Sequence, residues 1–421
     1  MAEARPGARS ADQARNYRLV QVDSAFVGII SAAGTFLPVF LVRLGASGTE
    51  LGLLSSLPAL TAFALAIPFG RWLQGRRNIL PWYYRLRMLG WLGYASMGIA
   101  AALLPPALAV PAMLAIVAVA SLPSTAGLVT FPIVMDGLAG PAGRFDLLGR
   151  RWAIAGVTTS IAVILAGQAL DLLPFPLNFE LLLGGFTVAG VGSFLVSRRF
   201  VVPDQAPLPR PASSGPIDRL RALRDLVLSQ RSFVRFELRS LLATASVGLA
   251  MPLLPLLYVR ELQAPDSWIG IIGASQSAGA VLGYVIARPV SRRRGGLAVL
   301  LPSMLTLAVV PAVLSLVGWL PAVPALVFVA GLGTAGTQLA LFDQLMERIP
   351  RAHGITFSSV DQSLQNFALI VSPSIGGLLA VTIGVRWGLV VTAGVALAAV
   401  ALFALAARRA RAAAKARTVA A

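Results

Sequence analysis

Cysteine is absent from this 421-residue chain, and histidine occurs once, at His353. Without thiols there is no disulfide and no thiolate nucleophile, and one imidazole cannot assemble a cysteine–histidine metal cluster. No catalytic residue, metal ligand or cofactor is therefore expected. Charge is scarce as well. Only 12% of the residues are charged, against roughly 25% in soluble domains. Acids are the scarcer sign, 17 against 35 basic residues, for a net charge of +18; all the basic residues except Lys415 are arginine. In a soluble protein that surplus would point to nucleic acid. Here the arginines close apolar runs instead of forming one patch interleaved with aromatics, and at such places positive charge orients membrane helices. The expected partner is the lipid bilayer and not nucleic acid. A phosphate-cradling glycine loop is also missing, so energy for any work is expected from an ion gradient or from the solute's own gradient.

What the chain has is apolar length: 57% of it is hydrophobic. A membrane helix needs about 20 mostly apolar residues. That ruler predicts spans at 19–42, 50–73, 79–104, 108–131, 152–173 and 177–197, then at 236–259, 268–288, 297–319, 322–345, 355–381 and 386–407. The first run exceeds the roughly 7–15 apolar residues of a secretory signal, so it is expected to remain as a span. With twelve spans, both termini and the even connections share one side. That side holds Arg5, Arg9, Arg15 and Arg18, the clusters at Arg71–Arg77 and Arg144–Arg151, the stretch Arg198–Arg231, Arg288–Arg294, Arg348, Arg351 and the tail from Arg408. The other side holds Arg43, Arg260 and Arg386 alone. Positive charge stays cytoplasmic, so both ends are expected inside, and the alanine- and arginine-rich usage suggests a bacterial plasma membrane.

Residues 198–232 carry Pro203, Pro207, Pro209, Pro211 and Pro216 and no long apolar run, which reads as a linker. Within it Ile217, Leu220, Leu223, Leu226 and Val227 recur at helical spacing with Arg219, Arg221 and Arg224 largely between them. That pattern predicts a basic amphipathic helix on the inner leaflet. The expected organisation is a cytoplasmic tail (1–18), a first helical bundle (19–197), the linker (198–232), a second bundle (233–407) and a basic tail (408–421).

The two bundles are copies. "PVFLVRLGASGTELG" from Pro38 and "PLLYVRELQAPDSWIG" from Pro255 place proline, Val-Arg and glycine at the same spacing within one residue, offset by about 217 positions. Arginine clusters, "FGRWLQGRR" from Phe69 and "IARPVSRRR" from Ile286, then fall at matching points. Two six-helix halves joined by a charged linker resemble the major facilitator superfamily over nearly the whole chain. The resemblance implies an all-α membrane protein with twelve transmembrane helices in two pseudo-symmetric six-helix bundles. It also implies a cytoplasmic gate motif after the second and eighth helices, carried here by Gly70, Arg71, Arg76 and Arg77 and by Gly283 and Arg288. The motif's acidic position is Gln74 in the first copy, which is two residues short, and Ala287 in the second. The fourth-helix arginine of many proton-coupled members and the fifth-helix glycine-proline motif of antiporters are missing.

A charge inside a span faces a cavity or a partner. Asp23, Glu237 and Arg239 lie near span ends, where a side chain can also snorkel to water. In the eleventh span Ser358, Asp361, Gln362, Gln365 and Ser372, with Asn366 beside them, form one polar stripe. The resemblance places that helix along the central cavity, which makes Asp361 a coupling or substrate-contact candidate; helix–helix hydrogen bonding is the other reading. Gln276, Gln338 and Gln168 are neutral candidates for solute contact, since an amide both donates and accepts. Arg85 and Arg87, with Trp82, Tyr83 and Tyr84, read as headgroup anchors, and Arg43 and Arg260 as anchors of the outer ends of the first and seventh helices. The implied function is secondary active transport by alternating access, performed by a monomer that binds a small-molecule solute and protons. Efflux of drug-like or neutral amphipathic solutes is favoured. A non-transporting scaffold or sensor of the same fold is the alternative; an enzyme is not expected.

Overall fold

A computed structural model describes residues 11–74, 76–202, 216–348 and 354–420, and these contain helices and no strand. The helices are α1 (Ala11–Ser31), α2 (Ala33–Arg43), α3 (Gly48–Gln74), α4 (Leu80–Leu103), α5 (Pro106–Leu170), α6 (Leu177–Ser197), α7 (Pro216–Ser229), α8 (Arg231–Leu256), α9 (Asp266–Arg294), α10 (Gly296–Leu314), α11 (Val323–Arg348), α12 (Gly354–Thr382) and α13 (Val385–Ala420). Among the described residues, twelve stretches are long and apolar enough to cross a membrane, as the hydropathy predicts. Some helices outlast their spans. α5 is unbroken through the fourth and fifth spans (Ala107–Ala139 and Leu147–Leu170), and α13 runs on past Arg409. A hydropathy reading ends a helix where polarity begins, yet polarity marks only where lipid ends, and a helix can continue into water.

The chain divides into two compact units. The first comprises Met1–Phe40, Thr61–Arg210 and Asp266–Gly270, the second Leu41–Leu60, Pro211–Pro265 and Ile271–Ala421. The first is built on a buried cluster that includes Tyr17, Val20, Tyr83, Val134, Met135, Leu138, Leu147 and Phe200. The second is built on Phe233, Phe236, Leu300, Met304, Phe357 and Phe403, with Phe233 and Phe357 edge-to-face at 4.7 Å between ring centroids. Leu226 and Val227 of α7 pack against this second cluster. That end of the amphipathic stripe therefore meets protein, whereas the sequence pattern alone points it at the leaflet.

The repeat has a structural irregularity at a defined place. Pro38 matches Pro255 at an offset of 217, but Gly52 matches Gly270 at 218. The extra residue falls after Arg260, and α8 is followed there by a π-turn over Leu257–Glu261, with the Leu262 amide donating to the Leu257 carbonyl at 2.9 Å. The two connections carry Gly45 at φ 97° and Gln263 at φ 50°, both left-handed. Within the second unit Arg43 Nη2 donates to the Ala264 carbonyl (3.1 Å), and Arg260 Nη2 donates to that of Ala46 (2.7 Å). These repeat-related arginines tie down backbone, where the sequence suggests simple anchors of helix ends.

The two motif glycines differ in surroundings. A Cβ on Gly283 would lie 2.7 Å from the Leu332 carbonyl oxygen and 2.9 Å from the Ala335 Cβ, so Gly283 lets α9 and α11 approach closely. Among the described residues, a Cβ on Gly70 would meet only Val129 Cγ1, at 3.8 Å. Gly283→Ala is expected to lower stability by about 1–3 kcal/mol through overpacking, and Gly70→Ala to leave it unchanged. Thermal unfolding of the two purified variants checks this, and equal shifts would refute it.

Candidate functional site

α8 and α12 pack along each other in the second unit, and the contact carries a polar ladder. Glu237, Ser240 and Thr244 stand three and seven residues apart on α8, hence on one face. Asp361 and Gln365, four apart, face them from α12. Gln365 organises the ladder: Thr244 Oγ1 donates to its Oε1, and its Nε2 donates to Ser240 Oγ (3.0 Å) and Asp361 Oδ1 (3.3 Å). The reverse amide orientation would set its oxygen against a carboxylate oxygen, so these partners fix the amide. Glu237 is 3% exposed and closes the ladder beside Asp361. Both Glu237 carboxylate oxygens are buried and receive no hydrogen bond in the ionised state. Two carboxylates are acceptors only and cannot bond to each other; one proton between them supplies the missing donor. No ion pair reaches either acid among the described residues. Arg239 lies 5.9 Å over Phe403 and Arg348 lies 5.1 Å over Phe236, each against a ring of the core.

The acid of the first unit is held differently. Asp23 is fully buried, and its position is matched in the repeat by Ser240. Arg151 Nη1 of α5 donates to its Oδ2 at 2.9 Å, Arg87 of α4 lies at 3.5 Å, and Ser193 Oγ of α6 donates to its Oδ1. Arg87 also donates to Tyr83 Oη (2.7 Å) and lies over the rings of Tyr83 and Trp91, at 4.6 and 4.5 Å. Arg151 lies 4.9 Å over Phe131. Two expectations are corrected here. Asp23 does not snorkel, and Arg87 and Tyr83 are not headgroup anchors: they occupy the interior, while Arg85 alone is exposed. One carboxylate between two guanidiniums and a serine hydroxyl ties α1, α4, α5 and α6 together.

The remaining candidates are dispersed. Gln338 accepts from Tyr284 Oη at 2.7 Å, and Gln276 lines a cavity among α8, α9, α10 and α11. Gln168, Gln362 and Asn366 make no hydrogen bond among the described residues, and Gln168 lies in the first unit. Arg76 is exposed and lies 5.0 and 5.4 Å over Trp72 and Trp82; Arg77 is exposed. The side chains of Arg71 and Arg288 lie outside the described residues. Sequence reasoning misses Ser240, Thr244, Arg151 and Ser193. Ser240 and Thr244 share the helical face of Glu237, a signal present in the spacing.

Twelve helical stretches long and apolar enough to cross a membrane mark a polytopic membrane protein among the described residues. Residues 238–420 match the Major Facilitator Superfamily family model. No curated protein matches in sequence. Among solved structures, a mutant form of the nucleoside transporter NupG is similar with a TM-score of 0.77 at 12% identity, covering 93% of this chain and 99% of that one. A bacterial homologue of the iron transporter ferroportin, in an inward-facing state, gives 0.73 at 17% identity, covering 94% and 98%. A bacterial homologue of the human lysosomal transporter Spinster gives 0.70 at 15%, covering 95% and 98%. At such identities the likeness is one of fold. The second part of the chain, residues 238–420, is thus similar to the Major Facilitator Superfamily, and the whole chain is similar in fold to these solved structures.

Proposed function

We propose that the chain is a proton-coupled secondary transporter in which Glu237 and Asp361 hold one exchangeable proton between them. The observation that carries this reading is a buried glutamate with no hydrogen-bond donor, set against a second acid and beyond the reach of any arginine among the described residues. A charge left in that position in a membrane helix is costly and marks an ion pathway. With the proton bound, one carboxyl donates to the other and the pair bears a single charge. When the proton leaves, two charges remain side by side, and they favour a rearrangement that admits water or a solute's donor groups. Gln362 and Asn366, whose amides make no hydrogen bond among the described residues, flank the pair on α12 and suit a neutral or amphipathic solute; efflux from a bacterial cytoplasm by a monomer is the form of the activity favoured here. The exposed arginines Arg76 and Arg77 mark the cytoplasmic end of α3 in this reading.

Infrared spectroscopy of the reconstituted protein tests the shared proton. A carboxylic-acid carbonyl band is expected at neutral pH, bleaching on alkalinisation and missing from both Asp361→Asn and Glu237→Gln. A wild-type spectrum without that band would defeat the proposal. The proposed orientation is tested separately, since reporter fusions after Arg199 and after Ala421 should both read cytoplasmic, and an external signal from either would overturn it.

A further inference from the structure

The cavity that Gln276 lines is separate from the acid pair. It lies wholly within the second unit, holds about 180 Å³, and is lined by α8, α9, α10 and α11. Its wall is mostly aliphatic, including Met251, Leu254, Leu307, Val310 and Leu314, with three polar side chains, Ser246, Thr334 and Gln276. Two of these are already satisfied: Ser246 Oγ donates to the Ala243 carbonyl (2.7 Å) and Thr334 Oγ1 to that of Ala330 (2.9 Å). The Gln276 amide is exposed at this cavity and has no hydrogen-bond partner among the described residues, so its donors and acceptor are available to a ligand. Two prolines add to this. Pro311 of α10 has no N–H for the Leu307 carbonyl, and Pro255 of α8 has none for that of Met251. Both of these carbonyls belong to residues of the cavity wall.

We infer that this cavity is a binding site for a neutral amphipathic molecule: an apolar body carrying one group, such as a hydroxyl or secondary amide, that both donates and accepts. The body replaces contacts the aliphatic wall lacks, and the polar group accepts from Gln276 while donating to a proline-freed carbonyl. A purely apolar ligand gains no hydrogen bond from the amide, and a charged one meets no counter-charge on the lining. Sites of this kind are largely apolar with a few placed polar groups. The inference is independent of proton coupling.

Photolabelling of the full-length protein in lipid nanodiscs tests it, with the diazirine alcohol 3-azioctanol as probe and the corresponding diazirine alkane as control. The alcohol should label Met251, Leu254, Leu307 or Val310, and excess octan-1-ol should displace it. Gln276→Leu, which keeps the volume, should reduce alcohol labelling roughly tenfold, the effect of one lost hydrogen bond, without changing labelling by the alkane. Asp361→Asn should label like the wild type, which separates this site from the coupling pair. Equal labelling of the wild type by alcohol and alkane would overturn the inference. So would labelling that octan-1-ol does not displace, or labelling that Gln276→Leu leaves intact.

Discussion

Asp23→Ala is expected to remove most of the folded protein from a detergent extract, or to lower stability by about 3–5 kcal/mol where folded material survives. That is the range for breaking a buried ion pair from one side. The carboxylate has Arg151 at 2.9 Å, Arg87 at 3.5 Å and a serine hydroxyl as partners, and it is fully buried. Its removal leaves two guanidiniums in the interior with no anion between them. Rings of Tyr83, Trp91 and Phe131 lie over these cations, but such contacts contribute on the order of 1–2 kcal/mol each and cannot replace a counter-charge. Asp23→Asn keeps the shape and should be nearly as harmful, because charge and not volume is what the site lacks. Arg151 has one buried nitrogen, Nε, without a partner, so Asp23→Asn combined with Arg151→Met should recover part of the loss by removing one stranded charge. Monodisperse yield and melting temperature across the four proteins decide the matter. A melting temperature for Asp23→Ala within a degree or so of the wild type would mean that the acid is hydrated and that the tie contributes nothing.

That cluster also illustrates what a sequence discloses and what it conceals. The twelve spans are legible because a bilayer demands long apolar helices and keeps arginine on one side; neither constraint depends on which helix packs against which. Helix ends are less legible, as α5 shows, because hydropathy reports solvent and not backbone conformation. Depth is concealed most. Asp23 and Glu237 lie close to span ends, where a side chain can reach water or be enclosed by neighbouring helices, and only the neighbours decide. Arg87 is easily misplaced because Trp82, Tyr83 and Tyr84 resemble an interfacial belt. Yet Tyr83 and Arg87 are four apart and share one helical face, whereas Arg85 lies on another; the period already separates the inward arginine from the outward one. In the second unit the α12 stripe is legible by the same period, and Gln365 and Asp361 do fall within one network. Its α8 half is legible only in part: the spacing puts Ser240 and Thr244 on the face of Glu237, but a serine or threonine in a helix commonly bonds its own backbone instead.

Asp361→Asn should leave expression and folding near normal while abolishing solute movement driven by a pH gradient, with solute exchange retained. The substitution keeps the shape of the side chain and its acceptor for Gln365 Nε2. It also introduces an amide donor beside the Glu237 carboxylate, whose oxygens have none. The hydrogen bond that a proton would supply is then permanent. Glu237 no longer shares its site with a second negative charge, and the variant mimics the proton-loaded pair at every pH. A pair locked in one protonation state cannot link proton flow to the movement of the helices, but a solute that binds that state can still be carried both ways. Glu237→Gln should behave alike, since its amide can donate to Asp361. A purely structural ladder predicts otherwise: normal pH dependence in both variants, or a fall in stability as Gln365 loses an ionised partner. The measurement is paired flux in proteoliposomes, one assay driven by an imposed pH gradient and one by solute counterflow, using a solute first identified by its stabilisation of the purified protein. Loss of the first with survival of the second supports the proton-sharing pair. Full retention of pH-driven flux in Asp361→Asn would reduce the two acids to neighbours on packed helices.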